Sequence, residues 1–198
     1  MTEQQKNEKR RALKEAAIVI IAEHGLENVT TKELTTVAKT GNEAYIYRVF
    51  QSKRHLLVEM FDLLDRELAL AIIEHMDVLL DESVPLEERG RSFFSGVWRF
   101  VLSNQQRCSA YMQYYYSPMY AKYSVHRHEA HYDPIVECFS KVFKPGVDVW
   151  RMANYILDVI LTMSIKIFRG EIEDTPEFEQ KVFEWIFRAL YPYLVLDH

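Results

Sequence analysis

Six glycines and six prolines in 198 residues leave the chain few places to turn. This scarcity constrains the fold more than any other feature. An all-β sandwich or barrel needs a turn signal roughly every 8–12 residues, whereas long helices need breakers only at their ends. Hydrophobic residues make up 48% and charged residues 27%, the balance of a folded globular protein rather than a disordered one. The length suffices for a substantial core in one or two domains, and the predicted fold class is all-α.

The helical plan can be followed along the chain. Ala12, Leu13, Ala16, Ala17, Ile20 and Ile21 repeat at i, i+3, i+4, i+7 and predict an amphipathic helix over 9–23, closed by Gly25. The residues before Gln5 are expected to be loose. Thr30-Thr31-Lys32-Glu33 carries the next start, a capping threonine with an acid in the first turn, and Leu34, Val37 and Ala38 face inward. Gly41 breaks that helix, Asn42 caps a third running through Arg48, and Ser52 opens a fourth with Leu56, Leu57, Met60, Leu63 and Leu64 on its buried face. Pro85 suits the first turn of a helix that reaches about Leu102. Asn104 and Ser117-Pro118 interrupt the middle of the chain, Pro134 kinks or divides a helix, and Pro145-Gly146 is the clearest break.

Two strongly apolar helices come after that break, over 148–169 and 176–191. Their apolar residues cover more than one face, so each needs cover on two sides. The reading is a homodimer interface, a four-helix arrangement across a two-fold axis, with Ile156, Ile160, Phe183 and Phe187 as its residues. Helices central to a monomeric core are the alternative.

Cys108 and Cys138 have no CxxC or disulfide-rich spacing and are read as reduced, buried thiols. The charged N-terminus lacks a signal-peptide core, and no apolar run approaches the roughly 18–20 residues of a membrane span. A soluble, cytoplasmic protein with no membrane partner is expected. No phosphate-binding glycine loop, nucleophile elbow or credible carboxylate pair is present, so no catalytic residue and no cofactor is assigned. Net charge is −5, but residues 1–56 hold ten Lys/Arg against seven Asp/Glu, and the remainder fourteen against twenty-two. A mildly basic head on an acidic body suits a protein that meets DNA at one end.

That head contains three short helices, the last two joined by a tight turn, a candidate helix-turn-helix. The stretch Thr30-Thr31 … Tyr47-Arg48-Val49-Phe50-Gln51-Ser52-Lys53 … Leu56 resembles the signature of the tetracycline-repressor-like (TetR) family. The match covers about the first quarter of the chain. Thr35-Thr36 stands where that family usually has Ile-Ala, Lys39-Thr40-Gly41 where it has Ala-Gly-Val, and Ala44-Tyr45 where it has Gly-Thr. The resemblance implies a DNA-binding domain over 1–52 and a helical-bundle effector-binding and dimerisation domain over 53–198. It further implies a ligand-responsive regulator, most simply a repressor released from a palindromic double-stranded operator by a small effector. Thr31, Tyr47 and Lys53 are placed to contact phosphates. Asn42, Glu43, Tyr45 and Arg48 are candidate base readers, with Asn42 alternatively a helix cap and Glu43 a favourable charge at a helix start. A dimer of the same fold that binds a ligand or lipid without DNA is the competing reading.

The middle of the chain is rich in aromatic and sulfur residues, and the resemblance implies a cavity there for an apolar or amphipathic effector. Trp98, Tyr111, Met112 and Tyr115 are its candidate lining, with core packing as the alternative. The run from His126 to Asp133 invites comparison with a metal site, in which His128 and His131 at i, i+3 would ligate together with Cys108 or Cys138. The polar segment reads better as a solvated helix face, and no metal is assigned.

Overall fold

The structure, a computed structural model, describes residues 2–195. The described residues form α1 (Glu3–His24), α2 (Thr31–Val37), α3 (Ala44–Phe50), α4 (Lys53–Glu74), α5 (Met76–Leu79), α6 (Leu86–Ser103), α7 (Gln105–Tyr115), α8 (Pro118–Tyr123), α9 (Val125–Phe139), α10 (Val149–Phe168) and α11 (Pro176–Leu190). Short 3-10 turns occupy Leu26–Asn28 and Tyr191–Tyr193. The described residues contain no strand beyond one isolated antiparallel bridge between Phe143 and Leu194. They fall into two compact units, one formed by the chain up to Arg66 with Gln106–Glu129, the other by Glu67–Gln105 and the chain from Ala130.

In the first unit α1 begins earlier than its apolar repeat. Thr2 accepts from the Gln5 N–H (3.2 Å) while the Gln5 side chain accepts from the Thr2 N–H (3.0 Å). This capping box offsets two unpaired donors at the helix start, so of the residues expected to be loose Thr2 is the cap and Glu3 and Gln4 are helical, while Met1 lies outside the described residues. Leu13, Ala17, Ile20 and Ile21 of α1 meet a core that includes Leu34, Ile46, Phe50, Leu56, Met60 and Phe61. Val37 is exposed rather than inward; Leu34 and Thr35 hold the buried face of α2. The Thr35 hydroxyl is satisfied there by the carbonyls of Thr31 (3.1 Å) and Lys32 (3.0 Å), which lets a polar residue occupy an apolar position. α7 is tied to α1 by Arg107 on Glu15 (2.7 Å) and by Gln113, whose amide nitrogen donates to the Ile21 carbonyl (2.8 Å).

The second unit is built on α6, α10 and α11. Phe94, Val97, Trp98 and Val101 of α6 are buried, as are Leu157 and Leu161 of α10 and Val182 and Ile186 of α11. At Gly96 an added Cβ would lie 2.6 Å from the His75 ring, so only glycine permits this approach. Thr175 caps α11 by accepting from the Phe178 N–H (3.1 Å), and Pro176 fills its first turn. α9 runs through Pro134 as a single helix rather than two. The Lys144 N–H donates to Tyr193 (2.8 Å) and the Val195 N–H to Val142 (2.9 Å), fastening the last described residues to the segment after α9.

Candidate functional site

The helix-turn-helix is α2, its turn and α3. Thr30 caps α2 by accepting from the Glu33 N–H (3.1 Å). At its other end the Thr40 N–H donates to the Thr35 carbonyl (3.1 Å) and the Lys39 N–H to that of Thr36 (3.2 Å), the paired bonds of a Schellman end. Such an end needs a left-handed residue, and Lys39 supplies it at φ 52°, with Gly41 following at φ 83°. The Asn42 side-chain oxygen accepts from the Ala44 N–H (2.8 Å), an Asx turn ahead of α3, while the cap position itself is Glu43, which makes no side-chain cap bond.

α3 leaves Asn42, Glu43, Tyr47 and Arg48 exposed, Tyr47 to 55%. Tyr45 departs from the expected outward position: it is 4% exposed, with Lys9 Nζ 5.0 Å and Arg48 Cζ 4.9 Å from its ring centre. It lies beside Ile46 on the side of the short helix that faces the core, so its ring is not available to press on a base edge. The Thr31 hydroxyl donates to the Glu43 carboxylate, tying the starts of α2 and α3 together. Lys53, half-buried at the start of α4, donates from Nζ to the Val29 carbonyl (2.7 Å).

Three of the four residues expected to line an effector cavity, Trp98, Tyr111 and Tyr115, are packed against other aromatic rings, and Met112 is half-buried. Trp98 belongs to the second unit, fully buried and stacked 5.5 Å from Phe94. Tyr111, Met112 and Tyr115 belong to the first, where Phe61 stacks on Tyr111 (5.2 Å) and Tyr114 (4.5 Å), and Tyr111 on Tyr115 (5.6 Å). Within this layer lies a polar group that the sequence reading missed. Asp65 of α4 accepts from the Tyr111 hydroxyl (3.2 Å) and from His128 Nδ1 (2.7 Å), and both Asp65 and His128 are fully buried. A signal existed: Asp65 lies among Phe61, Leu64 and Leu68 on the apolar side of α4, where a carboxylate needs a partner. His126 is exposed beside Glu129, but the solvated-face reading fails for His128 because its ring completes this core. Burial pushes the Tyr120 phenol far above its ordinary range, reinforced by Tyr115 and Asp65. Among the described residues no three His, Cys, Asp or Glu side chains are grouped to hold a metal ion.

Empty space in the second unit lies elsewhere. A wholly apolar cavity of about 60 Å³ is bounded by Phe93, Phe139, Ile156, Phe183 and Phe187, among others. Another of about 20 Å³ shares Phe93, Phe139 and Ile156 and reaches Ile160. All four residues expected at a dimer interface therefore line interior space of their own chain. Ile160 and Phe183 are buried in the single chain, while Ile156 and Phe187 are half-exposed. Because α10 is apolar over most of its circumference, periodicity did not distinguish its inner from its outer face. The outer faces carry Tyr155 on α10 and Trp185 on α11, the latter 50% exposed. No helix of the described residues is long and apolar enough to cross a membrane.

Residues 13–60 match the sequence model described as bacterial regulatory proteins, tetR family. No curated protein sequence matches the chain. Among solved structures, a TetR family transcription regulator from Marinobacter aquaeolei VT8 superposes with a TM-score of 0.78 at 17% identity, over 99% of this chain and 100% of the other. A putative tetR family transcription regulator from Shewanella sp. PV-4 gives 0.75 at 16% identity, over 94% and 98%. The fatty acid degradation regulator FadR from Bacillus halodurans gives 0.70 at 15% identity, over 92% and 96%. At these identities the superpositions establish the fold.

Proposed function

We propose, from the family-model match over residues 13–60 and the shared fold, that the chain is a TetR-family regulator, a homodimeric repressor released from a palindromic operator by a small apolar or amphipathic effector. The observation that carries this reading is the outward face of α3, where Asn42, Glu43, Tyr47 and Arg48 stand exposed with Lys53 at the start of the next helix. Asn42, whose oxygen accepts from the Ala44 N–H, keeps an amide NH₂ for an acceptor on a base, and Arg48 suits guanine. Tyr47, Lys53 and Thr31 hold the phosphate backbone. The functional division falls at about residue 52, with 1–52 reading DNA and 53–198 sensing and dimerising.

In a dimer joined through the outer faces of α10 and α11, around Tyr155 and Trp185, two recognition helices enter successive major grooves about 34–36 Å apart. The effector seat in this reading is the apolar interior of the second unit. A cavity of about 60 Å³ is smaller than the roughly 150 Å³ that accepts benzene. An effector therefore enters only by moving the phenylalanines that wall it. That differential affinity between two states is what shifts a population, and about 1–3 kcal/mol of coupling changes operator affinity roughly 5–150-fold. A regulator of fatty acid degradation shares the fold, which favours an apolar effector.

Selection of genomic DNA fragments with the purified protein tests the reading. Wild type recovers a palindrome that Tyr47→Ala and Lys53→Ala lose. Recovery of no enriched sequence at low salt favours instead a ligand-binding dimer of the same fold, a reading helped by the Thr31–Glu43 tie and the buried Tyr45, both of which reduce the groups facing DNA.

A further inference from the structure

A cleft of about 370 Å³ lies within the first unit, between the turn Leu26–Asn28, the first turns of α4 and the segment 117–123. Its size falls in the roughly 300–1,000 Å³ range of small-molecule sites, unlike the interior cavities of the second unit. Leu26, Leu57 and Met119 give it an apolar floor, while Lys53 and Arg54 supply cations. Arg54 Nη1 donates to the Tyr123 hydroxyl (3.3 Å) and its Cζ sits 5.0 Å from the centre of that ring. Lys122 Nζ lies 5.3 Å from the same ring. The Tyr123 phenol is held below its ordinary range by its hydrogen bond to Lys122, with Arg54 adding to the effect. Two cations, Lys53 and Arg54, thus line the cleft, and Glu27 is the acidic residue among those lining it.

We propose that this cleft binds a small amphipathic carboxylate, its apolar body on Leu26, Leu57 and Met119 and its anionic head between Lys53 and Arg54. A guanidinium matches a carboxylate in geometry and charge. The wholly apolar cavities of the second unit offer an anion nothing to offset desolvation, so charge sorts such a ligand to the cleft. The consequence is direct competition. Lys53 holds Val29 with one of its three N–H groups, and a carboxylate taking the others withdraws them from a DNA phosphate. This consequence rests on the reading of Lys53 as a phosphate contact, whereas the binding itself does not.

Isothermal titration of the full-length protein, without DNA, with sodium octanoate and with 1-octanol as its uncharged counterpart tests the binding. Octanoate is expected to saturate one site per protomer, with octanol and the Arg54→Gln variant each about tenfold weaker or worse. Met119→Glu, which places an acid on the apolar floor, is expected to abolish binding; Arg54 is exposed and Met119 half-exposed, and circular dichroism checks that both variants fold. Equal affinity for octanol, or octanoate binding unaltered by either substitution, overturns the proposal. Octanoate that binds as expected yet leaves the affinity for DNA untouched overturns the competition alone. Octanoate binding by a protein that selects no DNA sequence keeps the site and removes the repressor.

Discussion

Lys39 holds a backbone conformation that glycine adopts at no steric cost. The left-handed region costs an L-residue about 1–2 kcal/mol, part of which glycine gives back through its freedom in the unfolded chain. Lys39→Gly is therefore expected to raise stability by about 0.5–1 kcal/mol in urea denaturation; no gain would mean that the turn relaxes around the lysine. Gly41 marked the turn in the sequence, but the left-handed end of α2 falls two residues earlier, at a residue type that gives no such signal. Cys108 offers a second test at this scale. Burial pushes its thiol from 9.0 up to about 12, with Arg107 opposing the shift. Between those values an unfolded chain releases the proton while the folded one keeps it, so stability falls as pH rises through that window. Thermal melts from about pH 8 to about pH 10 should show this decline in wild type and a shallower one in Cys108→Ala. Identical profiles would show that Cys108 does not contribute to it.

Elements were more legible than their contacts. The few breakers and the start signals at Thr30 and Pro85 outline the helices because the cost of an unpaired helix end is local and written in a few neighbouring residues. What a helix turns toward is not local. Val37, Ile160 and Phe183 were assigned to faces by periodicity and Tyr45 by its place early in the third helix; Val37 is exposed and the other three are buried in their own chain, because α2 and α3 have only seven residues each and α10 and α11 are apolar nearly all round. The tie of α4, α7 and α9 through Asp65, Tyr111 and His128 joins residues 46 and 63 positions apart, a separation at which sequence spacing carries no information. Its energetic weight is testable: His128→Ala leaves Asp65 buried without its closest partner, and a loss of about 3–5 kcal/mol is expected. A loss under about 1 kcal/mol would show that water or Tyr111 replaces the imidazole.

At the scale of the whole molecule, each compact unit is assembled from segments far apart in sequence, so the unit that holds the helix-turn-helix is completed by α7 and α8 as well as by the first helices. The family resemblance was legible in the first quarter of the chain, where the motif is dense; the rest agrees only in its helical plan. Dimerisation through the outer faces of α10 and α11 predicts that Trp185→Glu converts the protein to monomer in sedimentation velocity and weakens operator binding with it. A dimer unaffected by that charge would place the interface elsewhere. The most direct test of the central claim is the salt dependence of affinity for the selected palindrome and for a scrambled duplex. Binding should favour the palindrome by about a thousandfold or more. On log scales it should fall steeply with salt, with a slope reduced by about one for each protomer in Lys53→Ala. Equal affinity for the two duplexes, or a slope that Lys53→Ala leaves unchanged, would contradict the account.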